Sequence, residues 1–97
     1  MTEFKPKVYF WATITFEEGK SLAPNGRPDF FYPEDHRQGY LIWPVDRTGN
    51  EWSFCVLNPE FWEKVHVHRI VPGCEFELWA GHLIAKGIVT RVADLLK

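Results

Sequence analysis

The sequence predicts an all-β protein, a small barrel or sandwich, and three observations support this prediction. Apolar residues alternate with other residues at a period of two along most of the chain, as in strands with one buried face. Six or seven such segments follow one another at short spacing, separated by glycine and proline. The 97 residues are enough for a single domain, over 1–97. We favour a barrel because closure removes exposed sheet edges.

The first third of the chain contains two predicted strands. The longer one covers 8–16 and places aliphatic residues and phenylalanines on one face and rings and threonines on the other. A loop with several glycines and prolines follows over 17–28. A short strand covers 29–32, and the polar residues 34–38 are predicted to form a turn.

The middle of the chain predicts a hairpin. A strand covers 39–45, and Pro44 places it at a sheet edge or a bulge, because proline cannot donate a hydrogen bond to a neighbouring strand. Residues 46–50 lie between two apolar runs and contain a glycine, so they are predicted to form the turn into a strand over 51–57.

One short helix is predicted at 59–64. Asn58 is a suitable N-cap, and a proline follows it at the first helical position, where its missing N–H costs nothing. Alternation returns over 65–71 and 74–80, which predicts two more strands. A last strand is predicted to end near Val92.

Charge and cysteine content limit the class of partner and the compartment. The chain has 11 Lys and Arg against 13 Asp and Glu, a net charge of −2, and no run of like charge. Nucleic-acid-binding domains usually carry a basic patch, so tRNA is a poor candidate partner. Cys55 and Cys74 allow at most one disulfide, and no signal peptide or membrane-spanning apolar run is apparent. We therefore expect a cytoplasmic protein without membrane association.

No pattern in the sequence predicts catalysis. Residues 34–37 concentrate ionisable groups, and His36 could serve as a general base, but no nucleophile motif accompanies it. Cys55 lies between Phe54 and Val56 on a predicted strand, where it is more plausible as a small core residue than as a nucleophile. We therefore expect a protein that is not an enzyme and that uses no cofactor.

His66 and His68 are the residues on which a metal site would depend. They share one face of the predicted strand 65–71, which is how strand histidines chelate zinc. A zinc site needs at least three converging ligands, and no CxxC motif accompanies the pair. We therefore predict no metal. In the alternative, further ligands would come from Cys55, Cys74 and His82.

Several stretches, in the same order, resemble the C-terminal β-barrel domain of translation elongation factor Tu. Residues 25–32, Asn-Gly-Arg-Pro-Asp-Phe-Phe-Tyr, are similar to that family's Gly-Tyr-Arg-Pro-Gln-Phe-Tyr segment, and residues 80–92 are similar to its closing glycine-rich run. The resemblance implies a Greek-key barrel, so we expect six to seven antiparallel strands in an all-β Greek-key β-barrel. The family holds tRNA with a basic residue where this chain has Glu34 and Asp35, so tRNA binding is not expected to carry over.

Aromatic residues make up 16% of the chain, and alternation divides them between two faces. The rings predicted to face inward are Phe10, Phe16, Phe54 and Phe76. The rings predicted on the opposite faces are Tyr9, Trp11 and Trp79.

We expect a non-catalytic barrel that binds a protein partner through aromatic side chains, because Trp and Tyr are enriched at interface hot spots. Phe61 and Trp62 are favoured because they lie in the predicted helix, outside the sheet. The predicted anchors are Trp43, Trp52, Phe61, Trp62 and Trp79.

Two alternatives stay open. A small acidic immunity protein or antitoxin would cover the basic active site of a toxin, and the net charge of −2 fits such electrostatic steering. A metal- or small-ligand-binding barrel would use His66 and His68. The oligomeric state is also open, because an edge strand around Pro44 could pair with a second copy or with a partner.

Overall fold

The computed structural model describes residues 8–23 and 25–94, so the N-terminal segment, for which no signal peptide is predicted, lies outside the described residues. Every strand pairing in the sheet is antiparallel. The seven strands are β1 Val8–Phe16, β2 Asp29–Tyr32, β3 Asp35–Tyr40, β4 Ile42–Asp46, β5 Glu51–Val56, β6 Glu75–Trp79 and β7 Leu83–Asp94. The prediction of an all-β fold is confirmed.

The sheet curls into a half-barrel whose two edge strands follow each other in sequence. The strand order is β3-β2-β6-β7-β1-β5-β4, and only Leu41 separates β3 at one edge from β4 at the other. The Cα atoms on either side of one residue are at most about 7 Å apart, so the two edges approach each other at this point. If β3 and β4 are counted as one bent strand, six strands remain. Consecutive hairpins join β2, this bent strand and β5, and β1 lies beside β5, which is a Greek key.

Aromatic rings from four strands fill the centre of the core. The ring centroids of Phe10 and Phe54 lie 5.0 Å apart and those of Phe30 and Phe76 lie 4.8 Å apart, both pairs stacked. Edge-to-face contacts of 5.9 Å between Phe10 and Phe76 and 5.6 Å between Phe54 and Phe76 join the two stacks. This geometry is favourable because the positive edge of one ring meets the negative face of another. The inward prediction holds for Phe10, Phe54 and Phe76.

The core leaves no room for a side chain at Gly87 on β7. A Cβ atom built there would lie 2.2 Å from Cζ of Phe76. The ring of Phe76 therefore occupies the space above the glycine, and the two residues must be considered together.

Two local predictions are wrong. Residues 34–38, predicted as a turn, lie mostly in β3, whose side chains are exposed on both faces at the sheet edge and so show no apolar alternation. Residues 65–71, predicted as a strand, begin in a π-helical turn, Trp62–His66, and continue as turns. Val65 and Val67 pack against the core from a helical backbone, so their spacing imitates a strand.

The short helix is confirmed, and its start matches the predicted cap. Helix α1 covers Pro59–Phe61, and the Asn58 Oδ1 atom accepts hydrogen bonds from the backbone N–H groups of Glu60, at 2.9 Å, and Phe61, at 3.2 Å. The π-helical turn follows directly. Within the described ranges no helix is long and apolar enough to cross a membrane.

Replacing Asn58 with alanine should lower the free energy of unfolding by about 1 kcal/mol, because two helix N–H groups lose their acceptor. Asn58→Asp keeps an oxygen at the same place and should be within a few tenths of a kcal/mol of the wild type. Urea unfolding followed by tryptophan fluorescence measures both. Equal losses for the two variants would contradict a capping role.

Candidate functional site

Two of the five predicted anchors belong to the core. Trp52 and Trp62 are buried, and each indole N–H has a partner within the chain. Trp52 Nε1 donates to the Gly49 carbonyl oxygen at 3.1 Å, and Trp62 Nε1 donates to Asp94 Oδ2 at 2.9 Å. A tryptophan with its polar atom satisfied is stable inside a core, so neither ring is available to a partner.

Phe61 and Trp79 reach the surface, but at separate places. Phe61 packs edge-on against Tyr40, with centroids 5.8 Å apart. Trp79 contacts His36, with centroids 5.4 Å apart, and its Nε1 atom donates to Glu77 Oε1 at 3.0 Å. The same carboxylate lies 2.8 Å from Nε2 of His36. The indole N–H of Trp79 thus already has an acceptor in Glu77, and its ring already has a neighbour in His36.

Trp43, the fifth predicted anchor, lies in a row of outward apolar side chains that crosses β4, β5 and β1. Its register partner on β5 is Cys55, and the register partner of Cys55 on β1 is Tyr9. Side chains directly opposite one another in such rows have Cβ atoms about 5 Å apart. Cys55 points outward, between two inward residues of β5, yet only 6% of it is exposed. The flanking rings therefore pack closely enough to cover it.

Two exposed aliphatic residues lie near Trp43 in the chain, Leu41 just before β4 and Val45 at the register shift within β4. Leu41 is 62% and Val45 58% exposed, the highest values among the large apolar side chains described by the structure. They lie two residues before and two residues after Trp43 in the chain. We name this surface the tryptophan face. It consists of Tyr9, Trp11, Leu41, Trp43, Val45 and Cys55.

An arginine from elsewhere in the chain lies over each tryptophan of this face. The Arg27 Cζ atom is 3.8 Å from the ring centroid of Trp43, and the Arg91 Cζ atom is 3.9 Å from that of Trp11. Both distances are well within the range of a cation–π contact. Neither guanidinium forms an ion pair with an acidic residue in the described part of the chain.

A β-bulge places Arg91 over Trp11. Trp11 pairs with Arg91 but the next residue, Ala12, pairs with Val89, so Thr90 is an extra residue on β7. The Thr90 hydroxyl donates to Glu51 Oε2 at 2.8 Å, which holds the bulge against β5. Bulges re-aim side chains and are frequent beside functional sites.

A long-range contact places Arg27 over Trp43. The loop between β1 and β2 crosses the edge of the sheet, where Arg47 Nη1 donates to the Ala23 carbonyl oxygen at 3.0 Å and Nη2 donates to that of Gly26. The residue that follows the second anchored carbonyl is Arg27. The conformation of the loop is thus fixed immediately before the arginine that covers Trp43.

The predicted histidine pair does not converge. The strand prediction that placed His66 and His68 on one face is wrong, since the π-helical turn buries His66 while His68 is exposed. His66 Nδ1 lies 2.6 Å from the Tyr32 hydroxyl, and the ring of Tyr40 packs against it with centroids 4.6 Å apart. No group of three or more potential ligand side chains from His, Cys, Asp or Glu occurs among the residues described.

Burial keeps the His66 site neutral. It lowers the pKa of His66 to about 4 and raises the pKa of Tyr32, because neither charged form is well solvated there. The phenol and the imidazole are therefore both neutral at pH 7 and share one hydrogen bond between the Tyr32 hydroxyl and His66 Nδ1. This pair is a buried hydrogen bond that joins the π-helical turn to β2.

Neither cysteine has the properties of an activated nucleophile. Burial raises the pKa of Cys55 and of Cys74, so both remain thiols at neutral pH. Cys74 lines a cleft of about 480 Å³ beside Tyr32. Two of the charged groups at this cleft pair with each other, since Arg69 forms an ion pair with Glu34 and also lies over the Tyr32 ring.

Sequence reasoning identified Trp43 and the outward direction of Tyr9 and Trp11 but did not combine them into one surface. It missed Leu41 and Val45, because Leu41 lies outside β4 and Val45 lies at its register shift, where strand alternation does not apply. It also missed both arginines, for which no local signal exists. Comparison with protein-family models, curated proteins and solved structures found no match, and the function is therefore inferred from this geometry.

Proposed function

We propose that this protein is a non-catalytic binding module whose tryptophan face holds a protein partner. One observation carries the proposal: an outward patch that crosses three neighbouring antiparallel strands, with Tyr9 and Trp11 on β1, Cys55 on β5 and Trp43 on β4, is apolar and aromatic. A sheet that packs one face on a core ordinarily alternates apolar residues inward with polar residues outward. A contiguous apolar patch on the solvent side of such a sheet is typical of an interaction surface.

The composition of the face supports a protein partner. Its rings are Tyr9, Trp11 and Trp43, and the two residues that cover the tryptophans are arginines. Trp, Tyr and Arg are the three residues most enriched at interface hot spots. The stacked arginines also hold the indoles in place, so less side-chain entropy is lost when a partner binds.

The geometry gives less support to the alternative functions. The net charge of −2 favours an immunity protein or antitoxin, but the charges nearest the two tryptophans are Arg27 and Arg91, so a basic toxin site would have to bind elsewhere. A metal-binding barrel would need His66 and His68 to converge. The Greek-key strand order agrees with the resemblance to the elongation factor Tu barrel, which we retain as a proposal that names no partner.

The proposal is tested by selecting ligands from a phage-displayed random peptide library on the wild-type protein. We expect peptides whose binding is weakened about 30-fold by Leu41→Ser combined with Val45→Ser, the size of a hot-spot loss. Both side chains are largely exposed, so the double variant should melt within a few degrees of the wild type.

Val71→Ser is the matched control, because Val71 is an exposed aliphatic residue on the cleft near Tyr32. Peptides selected on the wild type should bind this variant unchanged. The opposite result is that the peptides no longer bind Val71→Ser but still bind the Leu41→Ser, Val45→Ser variant fully. It would assign the binding surface to the cleft and overturn the proposal.

A further inference from the structure

We propose that the partner presents carboxylate groups to Arg27 and Arg91, so that an acidic protein surface with an apolar centre fits the tryptophan face. The inference rests on the proposed function and adds the chemistry of the partner. It comes from the way in which the two guanidiniums are held. Each lies over an indole ring, at 3.8 Å for Arg27 and 3.9 Å for Arg91.

Stacking uses the flat face of a guanidinium and leaves its N–H donors at the edge. A guanidinium carries five such donors in one plane, arranged to bind both oxygens of a carboxylate. Within residues 8–23 and 25–94, the acidic side chains that form ion pairs have other partners: Asp35 pairs with Arg37, Glu60 with Lys64, Glu34 with Arg69 and Glu77 with His36. Arg27 and Arg91 thus offer charge and donors at the two tryptophans of the face, which are joined by the row of Cys55 and Tyr9.

The spacing of the two tryptophans favours two separate acids in the partner. Trp43 lies on β4 and Trp11 on β1, and β5 lies between these strands. Tyr9 is in the same row as Trp43, and Trp11 is two residues further along β1. Strand spacing and rise place the two tryptophan Cα atoms about 12 Å apart. We therefore expect separate carboxylates at the two arginines, on either side of an apolar segment of the partner.

Carboxylates on the same side of the sheet argue against a nucleic acid as the occupant. Glu51 and Asp46 face outward, as Glu51 contacts Thr90 and Asp46 pairs with Ser53. A phosphate backbone carries an unbroken row of charge and would meet these acids along its path, whereas a protein can place its carboxylates at the two arginines alone. The exposed side chains of Leu41 and Val45 can pack against apolar side chains of a protein, but they have no donor or charge with which to bind a phosphate.

The test uses the peptides selected on the wild-type protein, together with their analogues in which every Asp and Glu is replaced by Asn or Gln. We expect Asp and Glu to be enriched over the unselected library, and binding to fall about tenfold or more in the analogues. Arg27→Gln and Arg91→Gln should each weaken the parent peptides about fivefold, with smaller effects on the analogues. Arg37→Gln, an exposed arginine on β3, should change neither.

The outcomes separate the two proposals. Peptides that depend on Leu41 and Val45 but show no acidic enrichment and no response to Arg27→Gln or Arg91→Gln would overturn the acidic partner and leave the binding face intact. Equal binding of the selected peptides to the wild type and to the Leu41→Ser, Val45→Ser variant would overturn the binding face itself. As a further probe, oligothymidylate should not bind at 50 mM salt, and binding that Arg27→Gln abolishes would assign the face to nucleic acid instead.

Discussion

Replacing Gly87 with alanine should lower the free energy of unfolding by about 3 kcal/mol, at the upper end of the usual cost of overpacking a core. The added Cβ would lie 2.2 Å from Cζ and 2.6 Å from Cε2 of Phe76. The ring cannot swing away, because it is stacked on Phe30 and meets Phe10 and Phe54 edge-on. Urea unfolding at neutral pH measures the loss.

A second variant makes this prediction specific. Phe76→Leu removes the far end of the ring, so Gly87→Ala introduced into that background should cost less than about 1 kcal/mol. The double-mutant cycle then shows strong coupling between the two positions. If Gly87→Ala costs the same in both backgrounds, the ring of Phe76 does not lie over Gly87 and the packing described for the core is wrong.

Lowering the pH from 7 to 4.5 should destabilise the protein through His66. Burial lowers the folded-state pKa of His66 to about 4, below the ordinary value of 6.5, so the unfolded chain binds the proton more readily. The stability that the neutral imidazole contributes is present above pH 6.5 and is lost as the pH falls towards 4. Each pH unit in this window costs about 1.4 kcal/mol, or about 3 kcal/mol in all.

His66→Asn is the variant that tests this pH dependence. The amide oxygen of asparagine lies near the place of Nδ1 and can accept from the Tyr32 hydroxyl, but it does not titrate. The variant should be less stable at pH 7, since it loses the ring contact with Tyr40, but its stability should vary little between pH 6.5 and 5. His68→Gln, an exposed control, should keep the wild-type slope. A slope that survives in His66→Asn would assign the effect to other groups.

The fold was predictable where strands carry a regular apolar face. β1, β6 and β7 all bury alternate residues, and each was predicted within a few residues of its bounds. β3 was not predictable in this way, because an edge strand exposed on both faces has no alternation. The π-helical turn was missed because Val65 and Val67, partly buried around His66, have the spacing of a strand face.

The candidate site was less predictable than the fold, for physical reasons. The outward direction of Trp11 follows from alternation, but its place beside Trp43 depends on strand order. Arg91 reaches Trp11 only because Thr90 forms a bulge, and Arg27 reaches Trp43 only because Arg47 anchors the loop before it. Such contacts join residues far apart in sequence, and no local pattern encodes them.

The binding function of the tryptophan face is tested most directly by mapping a selected peptide on ¹⁵N-labelled protein by NMR. We predict that the indole signals of Trp11 and Trp43 and the backbone amides of Leu41 and Val45 shift on titration. The indole signals of Trp52 and Trp62, which are bonded inside the core, should stay in place. Shifts confined to the cleft residues around Arg69 and Val71, with Trp11 and Trp43 unmoved, would contradict the account.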